Sequence, residues 1–340
     1  MQSHSGPLGE FDLIERFFKT AADAMASKND QTITLGIGDD CAIFKPIAGE
    51  EIAITSDMLV EGRHFFAHDD PQRLGCKALA VNLSDLAAMG AKPLGFTLAI
   101  ALPQADARWL ESFSKGLFAM AKQFSCPLIG GDTTAGPLTI SITAFGSLPK
   151  GKAIRRSGAN IEDDIWVSGT VGDARLALAA LRHELHLSTI DLQAIEVRMH
   201  QPTPRIDLGM NLRGIASSAL DISDGLLGDL KHILQQSKVD AEIFLDRIPK
   251  SVTLQHQSET IRNQFATCGG DDYEICFTAR PDQRDAINEI SKKLHLTTTH
   301  IGNIKTMQSS EAIIQLLDKN GEELSSAATA TLLKSFDHFA

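Results

Sequence analysis

The sequence predicts an α+β protein of two domains, and three observations lead there. The chain has 340 residues, enough for two ordinary cores. Both halves mix short apolar runs of strand character with segments of helical spacing. Between them, residues 149–164 are basic, contain glycine and are weakly apolar, the composition of a link. The expected domains are therefore 1–149 and 150–340.

Residues 11–26 carry Phe11, Leu13, Ile14, Phe17, Phe18 and Ala21 at helical spacing and predict a helix. A place before the first acidic turn also suits an arm. Residues 41–44 and 51–55 read as short strands. Asp70-Pro71 supplies an N-cap and an N1 proline, opening a helix that runs to about Met89. Within it Ala78, Asn82 and Asp85 share a face, so the last two point the same way. A strand at 93–102, a helix at 107–124 and strands at 126–130 and 138–146 complete the first half. After the link, 164–169 reads as a strand and 173–182 as a helix. Helices at 190–199 and 206–215 are separated by Gln201-Pro202-Thr203-Pro204. Then come a strand (218–222), a helix (225–237) and a strand (241–245). A strand (273–278), a helix (283–294) and strands at 300–304 and 312–317 close the half.

Short Asp-rich, Gly-flanked turns recur beside these elements. They read Gly38-Asp39-Asp40, Thr55-Ser56-Asp57, Asn82-Leu83-Ser84-Asp85, Gly130-Gly131-Asp132-Thr133-Thr134, Asp221-Ile222-Ser223-Asp224-Gly225 and Gly269-Gly270-Asp271-Asp272-Tyr273-Glu274. Carboxylates at strand ends and helix starts can project into one cleft. Crowded carboxylates repel, so some protonate or a cation sits among them. Hard oxygen ligands favour magnesium or calcium over zinc. Neighbouring glycines let backbone N–H groups approach anionic oxygens. The combination suggests a nucleotide-phosphate site.

Composition excludes several classes. A net charge of −11 opposes non-specific nucleic-acid binding, which needs a basic face. No apolar stretch approaches the length of a membrane span, and the N-terminus has no basic-apolar signal segment. Five cysteines without a C-x-x-C fit a reducing cytoplasm. No G-x-x-x-x-G-K-[ST] is present, against a P-loop kinase.

Laid out in order, the motifs resemble those of the thiamine-monophosphate kinase family. That family belongs to the ATP-binding superfamily typified by aminoimidazole ribonucleotide synthetase. The matching segments begin with Gly36-Ile-Gly-Asp-Asp-Cys-Ala-Ile-Phe44, Ser56-Asp-Met-Leu-Val-Glu-Gly-Arg-His-Phe65 and Lys77-Ala-Leu-Ala-Val-Asn-Leu-Ser-Asp-Leu-Ala-Ala-Met-Gly-Ala91. They continue through Ile129-Gly-Gly-Asp-Thr-Thr134, Arg156-Ser-Gly-Ala159, Gln201-Pro-Thr-Pro-Arg205 and Ala219-Leu-Asp-Ile-Ser-Asp-Gly-Leu226. They end with Gly269-Gly-Asp-Asp-Tyr-Glu274 and Asp337-His-Phe339. Each is weak alone; the ordered set is specific.

The resemblance implies a two-domain fold whose N-terminal sheet forms a barrel across a homodimer. It implies transfer of the γ-phosphoryl group of ATP to thiamine monophosphate, with several Mg2+ ions. It implies metal-site roles for Asp40, Ser56, Asp57, Asp85, Asp132, Asp221 and Asp224. It gives Gly131, Asp132, Arg156 and Ser223 to ATP, and His64, Asp271 and Phe336 to the acceptor. Plain alternatives stand beside these. An Asp next to Gly is often a turn or helix cap, and Asp39, Asp229 and Asp272 suit that role. Arg155 competes with Arg156, Ser223 could be an N-cap, and a lone His is more often structural. Two positions depart from the family pattern: Asp271 stands where Glu is common, and Phe336 where Trp or Tyr is common. No general base is expected, because a phosphate monoester is already largely a dianion at neutral pH, with a second pKa near ~6.

The competing functions are other enzymes of the superfamily. A selenophosphate synthetase is expected to carry a reactive N-terminal Cys, and residues 1–30 contain none. The hydrogenase-maturation dehydratase is expected to end in Cys, whereas this chain ends His338-Phe339-Ala340. An aminoimidazole ribonucleotide synthetase-like activity and a non-catalytic magnesium–nucleotide protein complete the alternatives.

Overall fold

A computed structural model describes residues 10–25, 32–38, 41–45 and 47–333. The chain forms two compact units, Met1–Leu86 with Lys92–Gly151 and Ala87–Ala91 with Lys152–Ala340. Residues 87–91, which no composition shift marks, go with the second unit.

The first unit opens with α1 (Glu10–Leu13), which passes through a π-helical stretch (Ile14–Lys19) into α2 (Thr20–Met25). The short strands β1 (Ile33–Leu35) and β2 (Ile43–Phe44) pair antiparallel. Then follow β3 (Glu50–Val60), α3 (Pro71–Ala88), β4 (Lys92–Leu102), α4 (Ala107–Gln123), β5 (Leu128–Ala135) and β6 (Thr139–Pro149). The sheet order is β3-β6-β4-β5, antiparallel except for the β4–β5 pair. Asp70 starts α3 as expected, its Oδ1 accepting from Gln72 N–H at 2.8 Å. Leu79 and Leu83 on α3 and Phe113 and Leu117 on α4 are buried, with Phe96, Ile140 and Ile142 of the sheet. The Cys76 thiol ties the helices by donating to the Gly116 carbonyl at 3.2 Å.

Two strands differ from the sequence reading. β3 does not stop at Thr55 but carries Ser56 and Asp57 inside it, because β6 pairs with it from end to end. The Gly130-to-Thr134 motif is likewise strand rather than turn, held in register with β4 from Thr97↔Gly130 to Ala101↔Thr134. Backbone pairing outweighs the low strand propensity of Asp57, Gly130, Gly131 and Asp132.

The second unit contains β7 (Asp164–Ser168), α5 (Asp173–Leu181), α6 (Thr189–His200), α7 (Ile206–Leu212), β8 (Ala216–Asp221), α8 (Leu226–Ser237) and β9 (Val239–Phe244). It continues with α9 (Val252–Gln255), α10 (Glu259–Cys268), β10 (Ile275–Ala279), α11 (Arg284–Leu294), β11 (Thr298–Thr306), β12 (Ile314–Leu317) and α12 (Ser326–Leu332). The sheet order is β12-β9-β11-β7-β10-β8, with only the β12–β9 pair parallel. β10 is buried along its length, and Ile275 lies opposite Asp221 of β8. That pairing brings the loops at 222–225 and 269–274 side by side. α8 buries Leu226, Leu227, Leu230, Ile233 and Leu234 on one stripe. α9, α10 and α12 are additions to the sequence reading. α10 is polar overall but has a signal in Ser258, whose Oγ accepts from Ile261 N–H at 3.4 Å as an N-cap. No helix among the described residues is long and apolar enough to cross a membrane.

Candidate active site

In the first unit, strand alternation sorts the predicted residues onto two faces. Thr55 and Asp57 point toward α3, where the Thr55 hydroxyl donates to Asp85 Oδ2. Asn82 Oδ1 accepts from Asp57 N–H at 3.1 Å. The face of α3 carrying Asn82 and Asp85 therefore lies along β3, as their spacing predicts. Burial pushes the Asp57 carboxyl up to about 7, and the charge of Asp85 adds to the shift. Two carboxylate side chains thus lie close enough for their charges to interact.

Ser56 looks the other way. Its hydroxyl lies 3.0 Å from Thr143 Oγ1 and bonds Ile142 O at 3.2 Å. Asp132 is exposed on β5, in register with Ala99 of β4. Beside it Gly131 has φ +152°, and a Cβ there would come within 1.9 Å of the Leu98 carbonyl oxygen. Only glycine fits so close an approach. A cavity of about 1130 Å³ opens here, bounded by Gly131 and Asp132, Gly36 and Gly38, Lys19 and Phe145. His64 is half-buried, and its Nδ1 accepts from Val60 N–H at 3.0 Å, closing the turn after β3. The plain structural role of His64 is therefore filled, through one ring nitrogen.

In the second unit the two acidic loops are bonded together. Asp271 N–H donates to Ser223 O, Tyr273 N–H to Ile222 O, and Ile222 N–H to Glu274 O, each at 2.8 Å. Asp271 and Tyr273 have φ of 66° and 51°, and the Tyr273 hydroxyl donates to Asp271 Oδ1 at 3.0 Å. Asp221 is buried at the end of β8; Ser223 and Asp224 are half-buried. Ser223 is not the N-cap of α8, a place taken by Gly225. The Asp229 carboxylate serves the turn instead, accepting from the N–H groups of Ser223, Asp224 and Gly225 at 3.0, 3.0 and 3.2 Å. Burial nevertheless pushes Asp229 up to about 7, against the pull of those backbone bonds, with the carboxylate charge of Asp224 adding to the rise. Asp272 is fully buried, accepts from Gly172 N–H, and is held well above the usual carboxylate range by that burial.

Glu274 is the residue that sequence reasoning missed in this loop. It is 0% exposed and receives four bonds. Arg205 Nε and Nη2 reach it at 2.7 and 2.5 Å, Arg198 Nη2 at 2.5 Å and Ser168 Oγ at 2.6 Å. Gly169 makes room, since a Cβ there would meet Glu274 Oε1 at 2.2 Å. Arg205 closes the Gln201-to-Arg205 motif, which was the available signal. Arg155 and Arg156 both carry exposed side chains. Asp39, Asp40 and Phe336 lie outside the described residues. Among the described residues no group of three or more His, Cys, Asp or Glu side chains gathers as a ready metal cage. Asp57 with Asp85 is instead a carboxylate pair that a hard cation would relieve.

Comparison with known proteins supplies the context. Residues 38–148 match the AIR synthase related protein, N-terminal domain, and residues 160–315 the AIR synthase related protein, C-terminal domain. The chain is 44% identical to a thiamine-monophosphate kinase of Haemophilus influenzae, over 87% of this chain and 89% of that protein. The crystal structure of thiamine-monophosphate kinase from Stenotrophomonas maltophilia K279a is similar at TM-score 0.83 and 43% identity, covering 94% of this chain and 99% of that one. The structure of AaThiL complexed with AMPPCP and TMP is similar at TM-score 0.73 and 28% identity, covering 99% and 100%.

Proposed function

The chain belongs to the thiamine-monophosphate kinase family of AIR synthase related proteins, and we infer that it transfers the γ-phosphoryl group of ATP to thiamine monophosphate. The products are thiamine diphosphate and ADP. The observation that carries this reading is the likeness, over nearly the whole chain, to a structure holding both AMPPCP and TMP. AMPPCP stands in for ATP, with a methylene in place of the β–γ bridging oxygen.

The chemistry asks for charge neutralisation more than for a base. Both reactants are polyanions, and the acceptor phosphate is a competent nucleophile, so direct in-line transfer needs positioning and cations. Asp57 and Asp85 are the donors best suited to Mg2+ in the first unit, and Asp132 and Asp40 belong to the proposed set through their motifs. In the second unit we assign Asp221 and Asp224. Ser56 belongs to the proposed set through its motif, although its hydroxyl faces away from Asp57. Bound magnesium would offset phosphate charge. Gly131 brings bare backbone to the cavity wall, which suits the phosphates of ATP; Arg156 and Ser223 complete that assignment. His64, Asp271 and Phe336 are assigned to the acceptor. In the structure His64 and Asp271 are held by hydrogen bonds from Val60 N–H and the Tyr273 hydroxyl, which fixes the side chains that this assignment would use.

A homodimer and a cytoplasmic location complete the reading. β3 is an edge strand whose outward face shows Ile54 at 64% and Met58 at 56% exposure. A long apolar edge is a liability unless covered, and a second copy of this chain would cover it.

The test is product identification after incubation with ATP, magnesium and either thiamine monophosphate or free thiamine. Thiamine diphosphate is expected from the monophosphate alone. Rapid conversion of free thiamine would overturn the reading.

A further inference from the structure

The second unit holds a charged cleft that meets the acidic loops only at Glu274. Its volume is about 570 Å³, and it lies between the turn at Gly169 and Thr170, the segment 246–250 and the segment 295–299. Four cationic side chains line it, Arg198, Arg205, Arg247 and Lys250, against two carboxylates, Asp246 and Glu274. Four against two leaves a surplus of two positive charges, on a chain whose net charge is −11. Glu274 can offset only one of the two arginines that grip it.

The cations are held in place without a ligand. Lys250 Nζ donates to the carbonyls of Leu245 and Ile248 at 2.9 and 3.0 Å, which pins the amine at the wall. The Arg247 guanidinium sits 3.9 Å from the centroid of the Phe244 ring. Arg198 Nε is buried and has no hydrogen-bond partner among the described residues. A buried charged donor left bare is costly unless something meets it. Burial pushes Lys250 down to about 8, helped by Arg262 and opposed by Asp246, so this amine too is short of negative charge.

We propose that this cleft binds a phosphate-class dianion, with Arg247 and Lys250 as its direct contacts and Arg198 and Arg205 forming the inner wall. A phosphate group offers several acceptor oxygens, matches the guanidinium fork and meets the ammonium as a point charge. Fixed donors lose little freedom on binding, which favours a small ligand. The inference goes beyond phosphoryl transfer, for which no role is assigned above to Arg247 or Lys250.

The experiment is calorimetric titration of the full chain, saturated with AMPPCP, with inorganic phosphate and separately with glycerol 3-phosphate, at ionic strength matched by chloride. One saturable site is expected. Arg247→Ala and Lys250→Met should each weaken it tenfold or more while leaving turnover in phosphate-free buffer unchanged. Lys250→Met keeps the apolar stem, and its melting curve checks the fold. Binding of both anions assigns the site to phosphate groups in general, and binding of inorganic phosphate alone assigns it to the free ion; either upholds it. Absence of saturable binding for both anions, or affinities in both variants equal to the parent's, would overturn the proposal.

Discussion

Arg205 holds Glu274 in a two-pronged grip, Nε to Oε2 at 2.7 Å and Nη2 to Oε1 at 2.5 Å, although 69 residues separate them. The pair stands at the head of β10, and Glu274 O takes the Ile222 N–H. One ion pair therefore ties the loop carrying Asp271 to the loop carrying Asp224. Removing one partner of a buried pair leaves an uncompensated charge, typically at a cost of about 3–5 kcal/mol. Arg205→Ala should lose stability on that scale, less whatever Arg198 retains. Arg205→Lys keeps the charge but not the fork; it should fold and show a raised KM for thiamine monophosphate. Chemical denaturation and steady-state kinetics on the same preparations check both. An unchanged denaturation midpoint in Arg205→Ala would mean that Arg198 and Ser168 suffice.

Asp57 predicts a pH dependence. Its folded pKa is raised to about 7. Between the ordinary carboxylate range near ~4 and about 7, the folded chain holds a proton that the unfolded chain has released. Stability of the metal-free protein should therefore fall as pH rises through that window. Asp57→Asn should remove this slope and melt higher than the parent at pH 8, by a few degrees, while losing turnover. Melting curves from pH 5 to pH 8 in chelator provide the measurement. A parent and variant with parallel pH profiles would show that Asp57 is not held protonated.

Asp85→Asn and Asp224→Asn should each lose turnover by a factor on the order of a hundred or more, because Asn keeps the size but not the charge that the proposed magnesium site calls for. Turnover against magnesium concentration, with circular dichroism as the folding control, tests this. Near-normal turnover would leave both residues with hydrogen-bonding roles alone.

Ile54→Asp places a charge on the outward face of β3, where Ile54 is 64% exposed. The fold should survive, since the side chain meets little of its own unit. Self-association should weaken at least tenfold. Sedimentation equilibrium reads the change, and an unaltered mass would remove this face from the proposed dimer interface.

Local chemistry was legible in the sequence, and long-range pairing was not. Asn82 and Asp85 could be placed on one helical face by counting residues, and both bond to β3. Asp70-Pro71 marked the start of α3 for the same local reason. The reach of β3 through Ser56 and Asp57 depends on β6, over 80 residues away, and no pattern within the strand announces it. Asp132 looked like a turn residue because two glycines precede it, but β4 recruits that stretch as strand. Asp229 was readable as structural because it falls inside a helix start. Only the Arg205 motif hinted at the role of Glu274, since its three partners sit on β7, on α6 and just before α7. Ion pairs across a sheet leave no periodicity to count.

The close fit of Gly131 against the Leu98 carbonyl bears on how descendants of this chain should be interpreted. The glycine is demanded by the spacing of two strands before any nucleotide is considered. A gene copy that lost the reaction but kept the sheet would keep Gly131 as well. Survival of that glycine motif therefore reports inheritance of architecture. Loss of activity in a paralogue should register first at Asp57, Asp85 and Asp224, whose charges the sheet does not require.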